Sequence, residues 1–173
     1  MTKKRNIVLF IATSLDGYIA RKDGGIDWLF TDQDYGYEQF YSRIDTVIIG
    51  RKTYEDVLTF GEFPYKDKKC YVFSTTKQEN DPYVEFIHEA VLEFINKLQQ
   101  QEGKDIWLVG GAGLVESFVR HNLIDEYIIP IHPILLGDGI PLFLQNENET
   151  KLTIKNCTVF DTGLVQMHYK KSK

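Results

Sequence analysis

Thr46-Val47-Ile48-Ile49-Gly50-Arg51-Lys52-Thr53-Tyr54-Glu55 is the stretch whose reading decides the fold. Thr46 to Ile49 is a β-branched, apolar run of the kind buried on both faces of a sheet, and Gly50 stops it. Thr53 to Leu58 has the spacing of a short helix, with Thr53 as one possible N-cap. A strand that feeds a helix through a tight glycine turn is the repeating unit of an α/β sheet. The turn also has chemistry. Glycine lets the backbone approach a ligand closely, and a helix start directs free N–H groups and a positive dipole at an anion. Arg51 can fork onto a phosphate, Lys52 adds a point charge and Thr53 a hydroxyl. The same residues also suit an ordinary strand-to-helix turn, so the rest of the chain must decide.

Three more segments share this placement: Ser14-Leu15-Asp16-Gly17-Tyr18-Ile19-Ala20, Val72-Phe73-Ser74-Thr75-Thr76 and Val109-Gly110-Gly111-Ala112-Gly113. Each opens where an apolar, strand-like run ends, and strand ends line the ligand crevice of an open α/β sheet. The glycines from Gly110 to Gly113 stand at the mouth of a helix and permit close approach to a pyrophosphate, although their spacing is not the dinucleotide fingerprint. Ser74, Thr75 and Thr76 supply hydroxyls for a ribose or a 2′-phosphate. Arg51 or Lys77 nearby would neutralise charge, a choice favouring NADPH over NADH.

The remaining pattern fits a mixed, mostly parallel sheet with helices on both faces. Strands are expected at Ile7 to Thr13, Cys70 to Phe73, Val84 to Ile87 and Ile106 to Val109. Helices are expected over Asp34 to Ile44, from Glu89 to near Gly103, and over Leu114 to Val119. Tyr127 to Leu136 reads as a long strand in which Pro130 and Pro133 imply an edge position or a bulge. Leu152 to Phe160 and Leu164 to Tyr169 flank Asp161-Thr162-Gly163 as an antiparallel hairpin with one face covered. No repeat or linker divides the chain, so a single domain spanning residues 1–173 is expected.

Composition narrows the function classes. Hydrophobic residues make up 43% of the 173, too many for a disordered chain. The net charge of −5 and the lack of a basic patch argue against nucleic acid. Lys3-Lys4-Arg5 reads as a solvated start, and the apolar run after it is too short for a membrane span and lacks a cleavage site. A cytoplasmic protein that binds a small molecule is expected, with no membrane partner. Cys70 and Cys157, both in apolar strand-like stretches, read as buried thiols. The scattered histidines suggest no metal.

If NADPH bound there gave up a hydride, the acceptor would also need a proton source. Asp16 reads as a turn former and Asp34 as a helix cap. Asp27 beside Trp28, and Asp32 before the first helix, are the candidate catalytic acids, because burial against Trp28 would raise a carboxyl pKa.

In order and spacing these segments resemble the dihydrofolate reductase-like superfamily, and more closely the RibD C-terminal domain family of bacterial riboflavin biosynthesis. Ser14 to Ala20 is the part most like the riboflavin group; the Gly50 and Gly110 segments are similar to both branches. The resemblance implies a three-layer fold and NADPH as cofactor. It puts Ala12 and Ile19 around the nicotinamide, and Gly50, Arg51, Lys52 and Thr53 on the phosphates. It further implies Ser74 and Thr75 near the adenosine ribose and Gly110, Gly111, Ala112, Gly113 and Leu114 along the pyrophosphate. A cis Gly110–Gly111 peptide and a homodimer through the carboxyl-terminal hairpin are also implied. Two departures concern the substrate half. Glu55-Asp56-Val57-Leu58 stands where riboflavin-pathway reductases carry an Asp-Asp-Pro stretch. The Trp28-to-Asp32 spacing is one residue shorter than the dihydrofolate reductase arrangement. The expected activity is NADPH-dependent reduction of a ribosylaminopyrimidine. Reduction of dihydrofolate or another pteridine is the alternative, and a non-catalytic NADPH-binding module is a third reading.

Overall fold

Alternate side chains of the apolar runs separate onto two sides of one sheet, and that separation builds the molecule. The computed structural model describes residues 3–76 and 80–173, so the expectation for Lys77 lies outside the described residues. The elements are β1 (Ile7–Phe10), β2 (Thr13–Ser14), β3 (Tyr18–Ala20), α1 (Tyr37–Ser42), β4 (Ile44–Gly50), α2 (Arg51–Thr59), β5 (Lys69–Phe73), β6 (Val84–Ile87), α3 (Val91–Gln99), β7 (Asp105–Gly110), α4 (Ala112–Arg120), β8 (Glu126–His132), β9 (Ile140–Pro141), β10 (Leu152–Val159) and β11 (Val165–Lys171). The main sheet runs β10-β11-β8-β1-β7-β4-β5-β6, with β2 continuing alongside β8. The strands from β8 to β6 pair in parallel, and β11 is antiparallel to both of its neighbours.

Ile7, Leu9, Ile48, Ile106 and Leu108 pack with Phe94, Ile95, Val115 and Phe118 of α3 and α4. Their neighbours Val8, Val47, Ile49 and Trp107 face the other way, against Phe40 of α1 and Tyr54 of α2. Helices therefore cover both faces, giving three layers. Among the described residues, no helix is long and apolar enough to cross a membrane.

Several expectations need correction. α2 begins at Arg51 with Gly50 at its cap position, so Thr53 lies inside the first turn. α1 starts only at Tyr37, because Gly36 takes a left-handed conformation (φ 82°) that no helix interior holds. The Asp34 carboxylate does serve that start, accepting the Glu38 N–H at 3.0 Å. β8 ends at His132 and lies inside the sheet, not at its edge. Pro130 is accommodated because β1 pairs β8 only as far as Ile128 and β2 resumes at Ile131, leaving a break in the ladder where a donor is not needed.

Arg5 is buried, not solvated: its guanidinium pairs with Asp45, and its Nε donates to the Lys104 carbonyl at 2.7 Å. Cys70 is buried, and its thiol is pushed up to about 12 by desolvation. Cys157 is exposed, because β10 is an edge strand that pairs with β11 alone. For the same reason the hairpin has no covered face along β10, where Ile154 and Val159 are 50% and 72% exposed.

Candidate cofactor cleft

β4 and β7 are adjacent and parallel, yet they send the chain to opposite faces: β4 into α2 on one side, β7 into α4 on the other. Adjacent strands that diverge in this way open a crevice at their carboxyl ends. Gly50 and Gly111 occupy the cap positions of α2 and α4, and neither first turn carries an acidic residue. Two helix starts with free N–H groups thus meet at one place, as an anion requires.

The approach is tightest at Gly111. A Cβ on Gly50 would lie 3.5 Å from the Gly110 carbonyl oxygen and the Gly111 nitrogen, and one on Gly111 would lie 3.0 Å from Thr53 Oγ1. The Gly110–Gly111 peptide is cis, as the resemblance implied. The resulting cleft encloses about 620 Å³. Its lining includes Gly50, Arg51, Lys52, Thr53, Gly111, Ala112, Gly113 and Leu114, with Ser74 and Thr75 further along and Ile19 at the β3 end. Side chains from four loops distant in sequence therefore share one cavity. Gly110 lies just behind this lining, its Cβ position 3.2 Å from Ile11 Cδ1. Ala12, in the break between β1 and β2, is not part of the lining.

Local chemistry sets each wall. The Arg51 side chain is 44% exposed, and its Nη1 donates to Glu55 Oε1 at 3.1 Å, one turn on. Ser74 Oγ donates to the Thr76 carbonyl at 2.8 Å, which tightens the turn after β5. The Ile19 wall is strapped in place. Asp16 accepts the Ser14 hydroxyl at 2.6 Å and the backbone N–H groups of Leu136 and Gly137 at 3.1 and 2.8 Å. The Ser14 contact, with help from those two N–H groups, holds its carboxyl below the usual range. β3 pairs with β9, and Lys22 forms an ion pair with Asp138, so Ile19 and Ile140 face the cleft from a single ribbon.

The two candidate acids are not buried as the Trp28 argument required. Asp27 is 67% exposed and doubly bonded to Arg21, which lowers its pKa. Asp32 accepts the Tyr35 hydroxyl at 2.6 Å, and that bond lowers its pKa as well. Neither lines the cleft. Trp28 is buried, but its ring packs edge-on against His132 (centroids 5.2 Å apart) and not over a carboxyl group. Both carboxyls are thus ionised at neutral pH.

The sequence reading missed His88, Glu89 and Val91, which line the far end of the cleft after β6, and Ile140 opposite Ile19. His88 was within reach of the rule applied to the other strand ends, because it directly follows β6. Ile140 gave no local signal, since its place depends on the β3–β9 pairing.

This architecture is the dihydrofolate reductase-like one. The chain superimposes on dihydrofolate reductase of Enterococcus faecalis, a structure holding NADP(H), with a TM-score of 0.74 over the full length of both chains, at 13% identity. A Shewanella sp. PV-4 protein, assigned to riboflavin biosynthesis by name only, matches with a TM-score of 0.87 and 32% identity, covering 97% of this chain and 99% of that one. Among curated proteins, the uncharacterized protein YwjB of Bacillus subtilis is 48% identical over 171 residues, covering 96% of this chain and 98% of its own. The profile of the RibD C-terminal domain matches residues 5–166, and the chain belongs to that family.

Proposed function

We propose that this protein is an NADPH-dependent reductase acting in the cytoplasm on a small heterocycle of the ribosylaminopyrimidine type, 5-amino-6-(5-phosphoribosylamino)uracil being the best candidate. The observation that carries the reading is the meeting of two glycine-gated helix starts, at Gly50 and Gly111, across one cleft. A Cβ on Gly111 would crowd Thr53 Oγ1 at 3.0 Å, so glycine there keeps the space between the two helix starts open to an extended anion such as a diphosphate. Lys52 and Thr53 would hold diphosphate oxygens from one side and Gly111 to Leu114 from the other, with Arg51 turned to the 2′-phosphate. Ser74 and Thr75 would meet the ribose, and Ile19 would shield the nicotinamide end from water.

When bound, the cofactor supplies a hydride for a C=N or C=O group. The chain's own task is to orient the acceptor and deliver a proton. Of the two carboxylates, Asp32 is the one linked to a buried ring, Tyr35, whose hydroxyl also lies 3.1 Å from Thr162 Oγ1. Because Asp32 is ionised and neither it nor Tyr35 lines the cleft, the proton would come from an ordered water. Asp27, held by Arg21, would serve only the loop. A homodimer joined through the exposed β10–β11 hairpin is part of this reading.

The test is the loss of near-ultraviolet absorbance of NADPH with 5-amino-6-(5-phosphoribosylamino)uracil or dihydrofolate as acceptor. Turnover of the first supports the reading, and turnover of dihydrofolate alone replaces it with the pteridine alternative. Tight cofactor binding without turnover of either favours the non-catalytic module.

A further inference from the structure

Between β3 and α1, residues 21–36 form neither helix nor strand, and they carry Gly24 of the cleft lining together with Asp27 and Asp32. The middle of this segment is fastened at one point. Phe30 N–H donates to His132 Nε2 at 3.1 Å, the one backbone hydrogen bond from residues 26–34 to the sheet among the described residues. Trp28 and Phe30 pack edge-on against the same imidazole, with centroids 5.2 and 5.0 Å away, and Trp28 and His132 are both buried. His132 itself is well anchored, because it ends β8 and pairs with Ser14 of β2.

A ring nitrogen that accepts a hydrogen bond carries no proton, so neutral His132 holds its single proton on Nδ1. That Nδ1 has no hydrogen-bond partner among the described residues. A second proton must go on Nε2, where it would meet the Phe30 N–H, donor against donor. The surroundings do not compensate. Trp28 and Phe30 of the segment, Thr13 and Ser14 of β2 and Pro130 of β8 carry no ionisable group. The carboxylates nearest along these chains are committed elsewhere: Asp16 to the Ser14 hydroxyl and the N–H groups of Leu136 and Gly137, Asp27 to Arg21, and Asp32 to Tyr35. Desolvation lowers the His132 pKa, and the carbonyls of Pro130 and Thr13 offset it only in part. A charged His132 and a closed segment therefore exclude each other.

We propose that His132 is a pH-operated latch on residues 21–36, closed when its imidazole is neutral and released when it is protonated, so that acid loosens the Gly24 wall of the cleft. The latch does not depend on which ligand the cleft holds.

Hydrogen exchange of the full chain, followed by NMR between about pH 5 and 8, tests it. The nitrogen shifts of His132 should place the proton on Nδ1 at the upper end of that range. The protection factors of the Phe30 and Gly24 amides should fall together as His132 takes up its second proton, at a pH below about 6.5. His132→Gln keeps an acceptor for the Phe30 N–H that does not titrate, so protection there should no longer change with pH. His132→Leu removes the acceptor, and Phe30 should exchange about tenfold faster at neutral pH, the effect of one lost hydrogen bond. If His132→Leu does not fold, His132→Gln still decides. The proposal is overturned if Phe30 stays protected while His132 becomes charged, or if His132→Gln loses protection in acid as the native chain does. Full protection of Phe30 in His132→Leu, or opening at Phe30 that leaves Gly24 unchanged, overturns it too.

Discussion

Replacing Arg51 with alanine tests the proposal that the cleft prefers NADPH to NADH. A guanidinium hydrogen-bonded to a phosphate contributes about 1.5–3 kcal/mol. Arg51 is not idle beforehand, since it pairs with Glu55 at 3.1 Å with both side chains nearly half exposed. A pair so exposed is worth about 0–1 kcal/mol, and releasing it offsets part of the gain. The net loss in Arg51→Ala is therefore about 1–2 kcal/mol, or roughly 5- to 30-fold weaker NADPH binding. NADH, which lacks the 2′-phosphate, should lose less than about twofold on the same argument. Fluorescence titration of both cofactors against both proteins measures this. Glu55→Gln serves as the internal control and should tighten NADPH slightly by freeing Arg51. Equal losses for the two cofactors would refute the placing of Arg51 at the 2′-phosphate.

Three further outcomes are expected. Phe118 is fully buried under the sheet, so Phe118→Ala should cost about 3–5 kcal/mol, read as a fall of roughly 10 °C in melting temperature. Burial raises the Glu126 pKa, but His168, Arg43 and Lys155 outweigh it and hold the carboxyl below 4.5. A depressed carboxylate stabilises the fold above its unfolded pKa and loses that contribution as the pH falls through the folded value. Glu126→Gln should therefore flatten the loss of stability below about pH 4.5 in urea titrations. Asp16→Ala should speed amide hydrogen exchange at Leu136 and Gly137 and weaken NADPH, because the ribbon carrying Ile19 and Ile140 loses its strap; unchanged exchange would show that the pairing of β3 with β9 suffices.

The three-layer fold was legible because the sheet is parallel and covered on both faces. Ile7 to Phe10, Val47 to Ile49 and Ile106 to Val109 must then be continuous apolar runs, and each glycine that ends one marks a strand end. The gathering of most of the expected residues in one cleft followed, because main-chain approach and helix starts leave a signature in glycine itself. Arg5, Pro130 and Cys157 misled for a different reason. For Arg5 and Pro130 the deciding partners lie more than 30 residues away, where no local window reaches, and for Cys157 what decides is that no strand but β11 pairs with β10. The burial expected of the candidate acids was not legible either: Arg21 and Tyr35 are near neighbours in sequence, but only the folded loop shows that they hold Asp27 and Asp32 ionised.

The most direct measurement is a crystal structure of this protein soaked with NADPH. The account expects the diphosphate between the α2 and α4 starts at Gly50 and Gly111, the adenosine beside Ser74 and Thr75, and the nicotinamide under Ile19. Cofactor density anywhere else, or an empty cleft at saturating NADPH, would contradict it.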